Sequence, residues 1–317
     1  MSIKEKEFRT IEEQINLLKS RNLIIDDEMA AKDFLERNSY HVAISEYNKL
    51  FLKSKIHPND TTTYLDGANF SEIQALYMFD RKLSQLLLEY ILIIENFTKS
   101  KIGYCFSQTC DIKNYLLVQN FDHNNYNSGS IKKILGVISS IQIAISQQVN
   151  KNNQISAYII HYGYIPPWVA TNLLTFGTLS KLYSILKQPV QQAIVKNIDI
   201  NESAFTECLK VITECRNKCA HNEVVFKFRT TEAIRDHHLH QDLKIKKDSK
   251  RYLQGKQDLF SVVIILKIIL TKEDFADFYF RLRQLIEELE YNLHTISIEE
   301  IYSRMGFILN WRDILTV

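Results

Sequence analysis

Apolar positions along the chain recur mainly at helical spacing, with polar, Asn-rich and Pro/Gly-containing stretches between the periodic runs. Thr10 stands three residues before Glu13, and Ile11, Ile15, Leu17 and Leu18 follow, which predicts a capping box opening an amphipathic helix. That helix should end near Arg21-Asn22, where Asn tolerates the left-handed conformation. Asp26-Asp27 can cap a second helix through Ala30, Phe34 and Leu35, and Tyr40 to Phe51 continues with apolar and aromatic residues. His57 to Asn69, with Pro58, three threonines and Gly67, reads as a loop. From Phe70 to about Ile102 the series Ile73, Leu76, Tyr77, Leu83, Leu87, Tyr90, Ile91, Ile94 predicts the longest helix, with Ser71 as its cap.

Asn120 to Gly129 is a second loop and Ile131 to Val149 a further helix. Pro166-Pro167 break the chain, and Trp168 to Leu186 then reads as helical around an interruption at Gly177. Glu202 to Asn222 is another helix, Phe260 to Leu270 is helix or strand, and Glu273 to Leu293 is strongly helical. No repeat of fixed period is visible. The predicted class is all-α: an N-terminal helical unit over residues 1–56, a helical core over 70–225, and a basic loop with C-terminal helices over 226–317 that complete the bundle.

Composition agrees with long helices, since the 317 residues include only 8 Gly and 4 Pro. A formal net charge of +2, from 39 basic and 37 acidic residues, means that binding of nucleic acid must come from a local patch. Five cysteines, none in a CxxC pair, read as reduced thiols. The first residues mix both charge signs without an apolar run, and the longest apolar runs, Tyr90 to Ile94 and Val262 to Leu270, are far shorter than a membrane span. The expectation is a cytoplasmic protein without membrane association.

Candidate chemistry lies in Thr213-Glu-Cys-Arg-Asn-Lys-Cys-Ala-His-Asn222. On a helix Asn217 and His221 share a face, and Arg216 lies about 140° from His221, within reach of a long guanidinium. The three offer a group that titrates near neutral pH, a fixed cation for a charged phosphorane, and an amide to orient them. No metal or cofactor is needed where the nucleophile is the 2′-hydroxyl of RNA. On spacing alone the simpler reading is a helix end where His221 meets the dipole and Arg216 is a solvated charge.

Arg216-Asn-Lys-Cys-Ala-His221 resembles the Arg-polar-x-x-x-His motif of HEPN domains, helical bundles that include many metal-independent RNases. Thr10 to Arg21 with Leu23 to Asp27, Leu76-Tyr-Met-Phe-Asp-Arg-Lys-Leu83, Ile93-Ile-Glu95, and Pro166 to Leu182 are similar, in that order, to the Abi-like (AbiD/AbiF) abortive-infection proteins of bacteria. The resemblance runs from about residue 8 to 225. It implies a HEPN bundle in which Arg216, Asn217 and His221 form a ribonuclease site completed across a homodimer, acting as an antiviral toxin under a regulatory RNA or protein inhibitor. His41-Val-Ala-Ile-Ser-Glu-Tyr47 departs from the family's usual Tyr-Arg-Leu-Ser-Gly-Tyr run, and the chain beyond Asn222 also diverges. The alternative from another class is a HEPN module that dimerises and binds RNA or a protein without cutting it.

Glu95, Arg81 and Asn222 are expected as supporting residues. Glu95 either pairs with Arg216 or is an ordinary exposed charge, and Asp80-Arg81 either supports the site or joins helices by a salt bridge. Lys244, Lys246, Lys247, Lys250 and Arg251, with Tyr252 interleaved, form the densest basic patch and are the expected RNA contacts, with the aromatic stacking on a base. Arg235-Asp-His-His-Leu-His-Gln-Asp242 reads as a polar surface loop, with a transition metal at His237 and Asp236 or His240 as its alternative. Cys215 and Cys219 read as small buried thiols. Phe278, Tyr279, Phe280 and Trp311 are expected in the core.

Overall fold

The computed structural model describes residues 8–54, 62–122, 128–149 and 151–317. Its helices are α1 (Ile11–Ser20), α2 (Glu28–Arg37), α3 (Tyr40–Ala43), α4 (Phe70–Ser107), α5 (Ser128–Val149), α6 (Asn153–Tyr162), α7 (Pro167–Ala170), α8 (Phe176–Tyr183), α9 (Gln188–Val195), α10 (Glu202–Ala220), α11 (His238–Asp242), α12 (Leu259–Ile269), α13 (Lys272–Tyr291) and α14 (Ile298–Met305). The only strands among the described residues are β1 (Lys247–Asp248) and β2 (Arg251–Tyr252), paired antiparallel. The class is all-α, and the ambiguous run at 260–270 is helical.

Local sequence explains most helix starts. Thr10 and Glu13 form the reciprocal capping box, and Asn22 takes φ 71° just beyond the helix. Asp27 caps α2 by accepting from the Ala30 amide at 2.9 Å. The cap of α4 is Asn69 rather than Ser71: Asn69 accepts from the Ser71 amide and hydroxyl, and Glu72 returns a bond to the Asn69 amide. Pairing of Ile24 with Asn69 fixes that residue in the extended conformation an N-cap requires.

Two predicted helices are divided. Tyr40 to Phe51 is α3 followed by a separate 3-10 turn at Asn48–Phe51, and Trp168 to Leu186 is α7, a 3-10 turn at Thr171–Leu173, and α8. In the second case Thr175 accepts from the Thr178 amide and begins a new helix, so the interruption falls before Phe176 rather than at Gly177. Of the two predicted loops, residues 57–61 and 123–127 lie outside the described residues; 62–69 is largely irregular, with Gly67 at φ 84°.

α4 is the axis of the bundle. It buries residues around much of its circumference, from Phe70 to Phe106, as a central helix must. α7, α10 and α13 pack against it. Arg281 of α13 forks onto the Glu89 carboxylate with two bonds of 2.8 Å, and Glu72 accepts from the His294 and Thr295 amides at 2.7 Å. These bonds fasten the C-terminal helices to the same axis. Phe278, Tyr279 and Trp311 are core, whereas Phe280 is exposed. No helix among the described residues is long and apolar enough to cross a membrane.

Candidate active site

α10 buries Phe205, Leu209, Ile212, Cys215 and Cys219; Arg216 stands at the edge of that buried face with its Nε toward Glu95, whereas Asn217 and His221 are exposed. Asn201 opens the helix by accepting from the Ala204 amide at 2.8 Å. At the other end His221 is the C-cap and Asn222 takes φ 56°. The Asn222 amide bonds the Cys219 carbonyl at 3.3 Å and the Glu223 amide bonds the Lys218 carbonyl at 3.0 Å, the two bonds of a Schellman closure. Asn222 thus closes the helix through its backbone, one residue after His221.

Arg81 of α4 secures that closure. Its Nη1 donates to the Asn222 carbonyl and its Nη2 to the Glu223 carbonyl, both at 2.8 Å, while Nη2 also meets Asp80 at 2.9 Å. Asp80, fully buried, accepts from the Val225 amide at 3.0 Å, the Phe226 amide at 2.6 Å and the Tyr47 hydroxyl at 2.7 Å. Burial and the adjacent Asp80 charge raise the Tyr47 phenol well above its usual range, so it remains a donor. The Asp80-Arg81 pair therefore joins elements and positions the His221 turn by the same bonds.

Glu95 is buried, 5% exposed, and faces two cations. Its Oε1 lies 2.8 Å from Lys99 Nζ, and its Oε2 lies 3.8 Å from Arg216 Nε, an ion pair longer than a hydrogen bond. Neither Glu95 Oε2 nor Arg216 Nε has a hydrogen-bond partner among the described residues. The Arg216 side chain is about one-third exposed, at 32%, so the carboxylate restrains the guanidinium while its outer edge stays open. A fork of this kind can grip a phosphate. The His221 imidazole is exposed and bonds no described residue.

Two clefts flank this set. Toward the C-terminal end of α10, Lys218, Asn222, Lys227, Arg229 and His41 line a cleft of about 370 Å³. Further along α4 from Glu95, Lys99, Tyr104, Trp168 and Asn172 line one of about 540 Å³. Gly103 makes the second possible, because a Cβ there would stand 2.9 Å from the Trp168 Cα. The close approach leaves Trp168 44% exposed beside Tyr104 at 62%. Lys99, Tyr104 and Trp168 are absent from the candidates the sequence suggests. Lys99 was available as the i+4 partner of Glu95, whereas only the helix packing reveals the aromatic pair.

The basic patch lies elsewhere. After Glu223 the chain runs back along α10, marked by Lys210–Glu232 at 3.2 Å, Arg235–Glu207 at 2.8 Å and His237 on the Asp199 carbonyl at 2.9 Å. Lys244, Lys246, Lys247, Lys250 and Arg251 follow α11, whose His237 cap is held at Asp199 just ahead of the N-terminal end of α10. Tyr252 stacks on His240 with ring centroids 4.9 Å apart, and Lys247 Nζ lies 4.1 Å from its centre. Its ring is engaged within the protein rather than offered to a base.

Of the His-rich segment, His238–Asp242 forms α11 rather than a loop, and 235–237 is irregular. His240 is fully buried, with Nε2 on the Gly255 carbonyl at 2.9 Å, and Asp236 pairs with Lys256 at 2.6 Å. His240, with both ring nitrogens engaged in the interior, is not available to join His237 around a metal. Cys215 and Cys219 are buried free thiols.

The family described as Abi-like protein matches residues 33–227, which include α4 and the whole of α10. No curated protein and no solved structure matches the chain.

Proposed function

Because the chain belongs to the Abi-like protein family, we propose that it serves bacterial defence against phage as a metal-independent endoribonuclease of the HEPN type, an abortive-infection toxin. The observation that carries this reading is that one helix end, held in place by buried groups, carries both an exposed His221 and, five residues earlier, an Arg216 whose guanidinium is restrained by Glu95 and about one-third exposed. The family match includes this helix end.

In the proposed reaction single-stranded RNA lies across the end of α10. His221 removes the proton from a 2′-hydroxyl, the 2′-oxygen attacks the adjacent phosphorus, and the bond to the 5′-oxygen breaks. Arg216 stabilises the extra negative charge of the phosphorane, and Asn217 donates to a phosphate oxygen. The leaving 5′-oxygen takes a proton from a second imidazole, His221 of a second copy, so the working unit is a homodimer with a shared site. Products carry a 2′,3′-cyclic phosphate and a 5′-hydroxyl. Lys99 leads from Arg216 toward Tyr104 and Trp168, where an unpaired base two or so nucleotides away would stack.

Incubating purified protein with single-stranded RNA tests the reading. Wild type should cleave it and His221→Ala should lose about 10²–10⁴ of the rate while keeping its circular dichroism and its affinity for RNA. Binding without cleavage by wild type would instead support a non-catalytic module for RNA or for a protein partner.

A further inference from the structure

At the end of α10 remote from Arg216, residues from two distant parts of the chain bring metal-ligating atoms together. Asp199 lies in the connection between α9 and α10, and His237 and His238 form the N-cap and first residue of α11. Asp199 Oδ2 is 2.8 Å from His238 Nε2 and 3.6 Å from His237 Nε2, and all three atoms lie within 4.8 Å of one another. We propose that Asp199, His237 and His238 bind one divalent transition-metal ion of the zinc type.

The donor set argues for that class. Two imidazole nitrogens and one carboxylate oxygen suit zinc, cobalt or nickel, whereas magnesium and calcium prefer oxygen alone. With metal–ligand bonds near 2.1 Å, tetrahedral donors stand about 3.4 Å apart. The two distances to Asp199 Oδ2 fall on either side of that value, so small rotations of the exposed Asp199 and His238 side chains, with release of His237 Nε2 from the Asp199 carbonyl, complete the site. Protons that now bridge the imidazoles to Asp199 oxygens leave for solvent as the metal takes their place.

A second relationship orients the cluster. His238 Nδ1 lies 2.8 Å from Asp242 Oδ2, one turn later on α11. A ligating imidazole commonly holds a carboxylate in this way through its other nitrogen, which fixes the ring and raises its donor strength. His237 and His238 also lie with ring centroids 4.2 Å apart, so both Nε2 atoms converge on the same carboxylate. Three protein ligands leave a fourth position open toward solvent, since Asp199 and His238 are exposed. The metal would clip the entry of α10 to α11 and, through His240 and Tyr252, steady the basic hairpin.

The test is titration calorimetry of the untagged, chelator-treated full chain with Zn²⁺ alone, paralleled by the visible absorption of Co²⁺. The expected result is one ion per chain with micromolar or tighter affinity, a rise in the thermal transition on adding Zn²⁺, and tetrahedral Co²⁺ colour. His238→Ala and Asp199→Asn should each weaken binding more than tenfold, and Asp242→Asn about tenfold, with unchanged circular dichroism. Absence of stoichiometric binding, or binding that survives both ligand substitutions undiminished, would overturn the site.

Discussion

The Arg81 guanidinium donates to the Asn222 carbonyl at 2.8 Å, so a residue on the bundle axis holds the turn from which His221 projects. The same cation reaches the Glu223 carbonyl and the buried Asp80. Removing the fork leaves a buried carboxylate with less compensation and frees the turn together. Arg81→Lys is expected to lower stability by about 1–3 kcal/mol. RNA cleavage should fall chiefly in turnover rather than in substrate affinity, which denaturant unfolding and steady-state kinetics together would establish.

Asn222 occupies the left-handed position of the helix closure, with φ 56°. Asn222→Gly should therefore keep both stability and cleavage. A β-branched side chain fits that conformation poorly, and Asn222→Val should cost about 1–2 kcal/mol. Thermal denaturation of the two variants measures the difference. Equal losses in both would assign the asparagine side chain a role of its own.

Local relationships are legible in the sequence: the Thr10–Glu13 box, the Asp27 cap and the helix end that carries Arg216, Asn217 and His221 are all short-range. The Arg81–Asn222 bond joins positions 141 apart, and only the packing of α4 against α10 creates it. The chain after Asn222 turns back along α10, bringing Glu232 to Lys210, Arg235 to Glu207 and His237 to Asp199, a course that sequence order does not disclose. Asn69 and Ser71 are both competent caps two residues apart, and the pairing of Ile24 with Asn69 decides between them. His240 looked like part of a polar run, but its imidazole is consumed by the Gly255 carbonyl in the interior.

Trp168 and Tyr104 carry the expectation for substrate shape. Base–aromatic stacking contributes about 1–3 kcal/mol per base. Trp168→Ala in a His221→Ala background should weaken binding of single-stranded RNA by roughly 5- to 150-fold, while duplex RNA is affected little. Fluorescence anisotropy with labelled oligonucleotides reads both. Equal affinity of the single and double variants for the single strand would remove the aromatic pair from the RNA path.

The cleft beside Asn222 has an acid-sensitive tie. Hydrogen bonds from Lys227 and Lys49 hold the Glu46 carboxyl down to about 2, from an ordinary value of 4.5. The folded state therefore favours the ionised form. Its contribution is complete above the unfolded value and is lost as pH falls from about 4.5 toward 2. Glu46 is about one-third exposed, so salt screens the effect. Glu46→Gln should flatten the decline of the thermal midpoint across that window, most visibly at low ionic strength.

The chemistry proposed for Arg216 and His221 leaves a signature on its products. Mass spectrometry of fragments from single-stranded RNA cut by the purified wild-type protein in excess chelator should find 2′,3′-cyclic phosphate ends paired with 5′-hydroxyls. His221→Ala and Arg216→Ala should yield neither at comparable time. Fragments ending in 3′-hydroxyl with 5′-phosphate, or undiminished cyclic-phosphate products from the His221→Ala protein, would contradict the assignment.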